Sequence, residues 1–252
     1  DVNHFNAAGG MGLLIRELLK QGLVHQDVTT IMGTGLDGYL VEPKLKQGGG
    51  LDWREAASVS QDVTVLRGCE SPFQETGGLN VLEGPLGHAV IKTSSIPNDR
   101  HIIEAPARVF HSQEELHAAF KLGELHRDVV VVVRFQGPKA NGMPELHRMT
   151  PPLAVLQERG LRVALVTDGR MSGASGKVPA VIHVTPEAAD GGAIARIRDG
   201  DIIRIDADNG RLEILVDAKE FALRVPATAD LSKNEEGTGR ELFKAFRNLA
   251  GR

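Results

Sequence analysis

The sequence predicts an α/β protein built as a mixed β-barrel or closed sheet with helices outside it. Three observations lead there. Short β-type runs outnumber the helical stretches between them, two of those runs (129–135 and 162–167) are almost continuously apolar, and an Asp-Asn-Gly turn joins two others.

Taken in order, residues 3–23 open polar, pass through Gly9-Gly10-Met11-Gly12, and then space Leu14, Ile15, Leu18 and Leu19 as a helix does. One helix ending near Gly22 is expected. Residues 43–50, closing on three glycines, are poor in apolar side chains and read as a linker. Short strands are expected at 63–67, 88–94 and 108–111. Ser112 with Glu115 is a capping-box pattern opening a helix to about Leu122. The valine run from Val129 reads as a strand buried on both faces. Thr150-Pro151 reads as the N-cap and first turn of a helix ending at Gly160, followed by a second buried strand at 162–167. Residues 180–184 are a third strand, 201–206 and 211–216 a hairpin, 221–225 a last strand and 241–249 a terminal helix.

Composition excludes several classes. Aromatic residues are 4% of the 252 and the net charge is -4, so a surface of basic stripes with stacking aromatics is not expected, and nucleic acid is not the partner. No apolar run approaches the roughly 20 residues of a membrane span. The single cysteine, Cys69, excludes an intrachain disulfide and a self-contained cysteine-rich metal site, and fits a reducing cytoplasm. The nine histidines form no zinc-hydrolase pair. The chain opens on Asp1 with no signal sequence after it, which reads as a piece of something longer.

Two pattern matches are set aside. Gly33-Thr34-Gly35-Leu36-Asp37-Gly38 fits G-x-G-x-x-G, but no βαβ unit follows, so a turn is expected. The stretch 172–177 resembles a P-loop, yet Met171 stands for its first glycine and Val178 for its magnesium-binding hydroxyl.

Two loops carry more signal. The one leaving the valine strand, 135–147, places Glu145 after Gly, Pro, Asn and Gly; that carboxylate either complements a helix dipole or is delivered to a site. The one leaving the second buried strand, 167–177, is made of small residues with Arg170 and Lys177 as its long cations; it is either a tight turn or a backbone cradle for an anion.

The strings Gly137-Pro138-Lys139-Ala140-Asn141-Gly142-Met143-Pro144-Glu145-Leu146 and Asp168-Gly169-Arg170-Met171-Ser172-Gly173, followed by Pro186-Glu187-Ala188, Gly191-Gly192 and Asp199-Gly200-Asp201, closely resemble the iron-sulfur dihydroxy-acid and sugar-acid dehydratases. The likeness covers nearly the whole chain. Val2-Asn3-His4-Phe5, Gly77-Gly78-Leu79, residues 104–110 and residues 172–179 resemble, within that family, members acting on a phosphorylated sugar acid.

The resemblance implies a hydro-lyase, cytoplasmic and homodimeric as a full-length enzyme, of which this chain is the carboxy-terminal part. Residues 1–45 would be the tail of the larger domain, 46–62 a linker, and 63–252 a swivelling β/β/α barrel. The cysteines of the cluster and most magnesium ligands would lie in the missing amino-terminal part, leaving the isolated chain without cofactor or turnover. Within this chain it implies Ser172 as the base taking the C2 proton, Arg170 and the N–H groups around Gly173 as its activators, and Glu145 as a magnesium ligand. Lys177 and Lys139 are expected on the phosphate. Rival readings are a dehydratase of dihydroxy acids or of unphosphorylated aldonic acids, and a fragment that binds without catalysing.

Overall fold

In the computed structural model residues 1–172, 177–237 and 239–250 are described, and the chain divides into two compact units, Asp1–Thr76 and Gly77–Arg252. No helix among the described residues is long and apolar enough to cross a membrane.

The first unit opens with two helices where one was expected, α1 (Val2–Ala8) and α2 (Gly10–Lys20). Asp1 caps α1, accepting from the N–H groups of Asn3 and His4, and Gly9 at φ 137° breaks the chain between the helices. Two short antiparallel pairs follow: β1 (Thr29–Thr30) with β2 (Gly33–Thr34), and β3 (Val41–Leu45) with β4 (Leu51–Glu55). The G-x-G-x-x-G match thus lies in a strand turn and a one-turn 3-10 helix. Part of the segment expected to be a linker is strand β4, because Gly48, Gly49 and Gly50 take φ of 91°, 94° and 86° and turn the chain back on itself. Residues 63–67, expected as a strand, form a turn instead; Asp62 accepts from the Thr64 N–H at 2.9 Å and its hydroxyl at 2.6 Å, which coils the backbone locally.

The second unit holds a closed eight-stranded barrel of mixed direction, as the sequence predicts. Its strands are β5 (Leu79–Gly84), β6 (Gly87–Lys92), β7 (Ile102–Phe110), β8 (Val129–Val133), β9 (Val163–Thr167), β10 (Ala180–Thr185), β11 (Ile202–Asp206) and β12 (Arg211–Ile214). Around the barrel they run β10, β6, β5, β12, β11, β7, β8, β9. β7, β8, β9 and β10 are parallel neighbours, β5 and β12 are also parallel, and the other pairs are antiparallel.

Alternation sorts the side chains. Val130 and Val132 of β8 join Ala164 and Val166 of β9, Ile203 and Ile205 of β11 and Leu82 of β5 in the barrel interior. Val129, Val131 and Val133 face the other way, onto Leu116 of α3 (Gln113–Lys121) and Leu153 and Leu156 of α5 (Thr150–Glu158). Both layers are fully buried, which is why β8 reads as unbroken valine.

Ser112 caps α3, its hydroxyl accepting from Glu115 N–H at 3.2 Å, but the return bond of the expected capping box goes one residue further back, the Glu115 carboxylate accepting from His111 N–H at 2.7 Å. Thr150, expected as an N-cap, is instead the first residue of α5 and turns its hydroxyl toward Met171 Sδ at 3.9 Å. Residues 221–225 are not a strand. Asp217 accepts from Lys219 and Glu220 N–H and starts α6 (Ala218–Leu223), and buried Arg224 closes it on Asp201 and Glu220. A four-residue α4 (Pro138–Asn141) follows β8, and α7 (Lys244–Leu249) is the shortened terminal helix.

Arg134, at the end of β8, donates to the carbonyls of Ala195 at 3.0 Å and Ile197 at 3.1 Å, and through Nε to His111 Nε2 at 3.1 Å. His111 must be neutral to accept that bond, and burial together with the Arg134 charge holds its pKa below the ordinary histidine value. The unfolded chain therefore binds this proton at higher pH than the native one. Stability should fall as pH drops from the ordinary histidine range, about 6.5, toward the depressed native value, by up to about 1.4 kcal/mol per pH unit. Urea unfolding across that window checks it, with His111→Gln expected to flatten the slope.

Candidate active site

The loops after β8 and β9 leave neighbouring parallel strands at their carboxyl ends, where α/β sheets hold their ligands. Two buried carboxylates shape the first of them. Asp168, 1% exposed, accepts from the N–H groups of Phe135 at 3.0 Å, Gln136 at 2.9 Å and Ala188 at 3.0 Å. Glu187 accepts from Lys139 N–H at 2.7 Å and Ala140 N–H at 3.0 Å, closing the open start of α4. Burial pushes both carboxyls upward in pKa, against the backbone donors that favour their charged forms.

Close approach explains the glycines. A Cβ on Gly137 would lie 2.4 Å from Glu187 Oε2, and one on Gly169 would lie 2.6 Å from Leu146 Cδ1. The loop after β8 is pressed there against the loop after β9 and against the segment after β10.

Against this frame Glu145 and Arg170 form an isolated parallel bridge, with Leu146 N–H donating to Arg170 O at 3.2 Å. Arg170 Nε donates to Met143 O at 2.9 Å and Nη1 to Glu145 Oε2 at 3.0 Å. Glu145 Oε1 accepts from His147 N–H at 3.0 Å and Ser172 N–H at 2.8 Å. Glu145 thus ties the first N–H of the 3-10 turn His147–Met149 and the N–H of Ser172 to one carboxylate oxygen. Glu145 and Arg170 side chains are 39% and 45% exposed, so the ion pair is worth at most about 1 kcal/mol and serves placement more than stability.

The structure thus brings together Glu145, Arg170 and Ser172. Gly173 lies outside the described residues. Lys139 Nζ is engaged by Asp190. Lys177 is exposed, its carbonyl accepts from Gln157 Nε2 of α5 at 2.9 Å, and no described contact ties it to the other three. Among the described residues no three His, Cys, Asp or Glu side chains form a metal-binding group.

Beside the trio opens a cleft of about 530 Å³ lined by Met143, Asp168, His183, Glu187 and Asp190. His183 stands at a register shift in β10 with φ 57°, and its N–H donates to Gly169 O at 2.9 Å. Sequence reasoning gave no role to Asp168, Glu187 or His183. The aspartate and glutamate lay inside the resembling strings, but only the fold shows which backbone donors they meet.

The description "Dihydroxy-acid/6-phosphogluconate dehydratase C-terminal" belongs to the family whose model matches residues 64–252. The chain is 59% identical over 251 residues to a phosphogluconate dehydratase of Rhizobium meliloti (strain 1021), covering 100% of this chain and 41% of the relative. It is 59% identical over 247 residues to that of Escherichia coli (strain K12), covering 98% and 41%. A dihydroxy-acid dehydratase of Nitratidesulfovibrio vulgaris is 37% identical over 236 residues, covering 92% and 40%. The chain spans about two fifths of the length of these curated relatives. On the family match and these identities, the chain belongs to the dihydroxy-acid/6-phosphogluconate dehydratase family.

Proposed function

We propose that this chain is the carboxy-terminal part of a hydro-lyase converting 6-phospho-D-gluconate to 2-dehydro-3-deoxy-6-phosphogluconate, the dehydration of the Entner-Doudoroff pathway. The supporting observation is the gap between 59% identity to phosphogluconate dehydratases and 37% to a dihydroxy-acid dehydratase, joined to the meeting of Glu145, Arg170 and Ser172 at the strand ends. In this reading residues 1–45 are the tail of an amino-terminal domain, and the full-length enzyme is a cytoplasmic homodimer.

The chemistry asked of this chain is proton removal. Ser172, deprotonated next to the Arg170 charge, takes the C2 proton of the acid; the C3–O bond breaks, the departing hydroxide takes up a proton equivalent to the one removed and leaves as water, and the enol left behind transfers its hydroxyl proton to C3 to become the 2-keto acid. Arg170 also fixes Glu145 and the Met143 carbonyl, so the hydroxyl is presented on a backbone that is already tied down.

The family implies an iron-sulfur cluster and magnesium, and this chain's residues do not suffice for either. Its one cysteine, Cys69, cannot hold a cluster. Magnesium would find Glu145, whose oxygens already accept from Arg170, His147 and Ser172, and no three His, Cys, Asp or Glu side chains among the described residues cluster to hold it. Completing either site falls to the amino-terminal part.

The test is dehydration by the full-length enzyme, followed as 2-keto acid formed. The kcat/KM for 6-phosphogluconate is expected to exceed the value for dihydroxyisovalerate at least tenfold; the reverse preference would overturn the reading.

A further inference from the structure

We infer that His183 is a specificity residue, its imidazole hydrogen-bonding a hydroxyl of the sugar-acid chain beyond the two reacting carbons. This rests on the dehydratase reading above and names the part of the substrate that the cleft takes.

The backbone of His183 is fully committed: its N–H donates to Gly169 O, and its carbonyl accepts from the Thr185 hydroxyl at 3.0 Å. Its ring has no hydrogen-bonding partner among the described residues, and it is exposed to the cleft. A left-handed φ at a non-glycine residue in a strand is a conformation the surroundings must enforce. Here the register shift between Ile182 and Thr185 enforces it, at the wall of the cleft.

Charge decides which part of the substrate enters. Asp168, Glu187 and Asp190 line the same cleft, and the one of them with a cationic partner is Asp190, paired with Lys139 from outside the lining. A phosphate or carboxylate would face this acidic wall at a cost, whereas neutral hydroxyls would not. Burial and the nearby Arg170 charge lower the His183 pKa and favour the neutral ring. A neutral imidazole offers one donor and one acceptor, the same pair that a hydroxyl offers in return. Asp168 and Glu187 are spent on backbone donors and Asp190 is paired with Lys139, which leaves the His183 ring as the cleft side chain without a hydrogen-bonding partner among the described residues. A site that hydrogen-bonds a substrate hydroxyl discriminates against the analogue lacking it. Dihydroxy acids with alkyl tails lack hydroxyls past C3.

His183→Asn in the full-length enzyme is the informative variant, because asparagine tolerates a left-handed φ while its side chain is too short to reach. We expect KM for 6-phosphogluconate to rise about tenfold with kcat changed less than about twofold. The corresponding KM for dihydroxyisovalerate, or its inhibition constant if it only competes, should stay unchanged. His183→Gln, with an amide donor and acceptor at greater reach, should recover part of the loss. Equal losses on both acids, or no change in KM for 6-phosphogluconate, would overturn the inference. Absence of wild-type turnover on 6-phosphogluconate would overturn the functional reading and this inference with it; wild-type turnover with an indifferent His183→Asn would overturn this inference alone.

Discussion

Ser172→Ala in the full-length enzyme is expected to lower kcat by about 10²–10⁴-fold, the span a positioned general base contributes. In activation free energy that is about 2.7–5.4 kcal/mol. The 2.8 Å bond to Glu145 comes from the backbone N–H of residue 172, which alanine keeps, so the loop stays tethered while the hydroxyl is removed. KM should therefore move little, and a loss confined to kcat is the signature of a group acting in the transition state. Steady-state kinetics on 6-phosphogluconate decides it. Activity near wild type would remove Ser172 from the mechanism.

Asp168→Ala should have the largest effect on stability. Three backbone N–H groups, of Phe135, Gln136 and Ala188, converge on this carboxylate, which is itself buried. Deleting it leaves three buried donors without an acceptor, at about 1–3 kcal/mol each. Partial relaxation brings the expected loss to about 3–5 kcal/mol, against a total of about 5–15 kcal/mol for a typical domain. Asp168→Asn should fall between, since the amide keeps one accepting oxygen and loses the other. Urea unfolding of the 252-residue chain measures both. A loss under about 1 kcal/mol for the alanine variant would mean that the loops are held by something else.

What the sequence showed depended on whether the governing interaction was local. The buried strands β8 and β9 were legible because burial on two faces leaves only apolar residues to choose from. The β11–β12 hairpin was legible because its turn residues carry their own backbone preference. Strand β5 escaped notice: Asn80 and Glu83 interrupt it, and its pairing partners β6 and β12 define it more than its composition does. Residues 63–67 and 221–225 misled because Val, Thr and Phe favour strands on average, while Asp62 and Asp217 supplied caps that overrode the average. In the site, Glu145, Arg170 and Ser172 came forward through their resemblance to a family, and the structure adds that they touch. Asp168 and Glu187 lay inside the resembling strings without a role, and His183 lay outside them. The backbone donors to Asp168 and Glu187 come from segments 20 to 48 residues away in the chain, and no local pattern encodes that.

The closure of the barrel through β5 and β12 bears on how the protein is made. Glu83 pairs with Arg211, so about 130 further residues must leave the ribosome before β5 acquires its second neighbour. At ordinary translation rates that is a wait of roughly 6–25 s with one sheet edge bare. Nascent chains stalled before β12 should be the sticky ones, captured by chaperones or lost to precipitation.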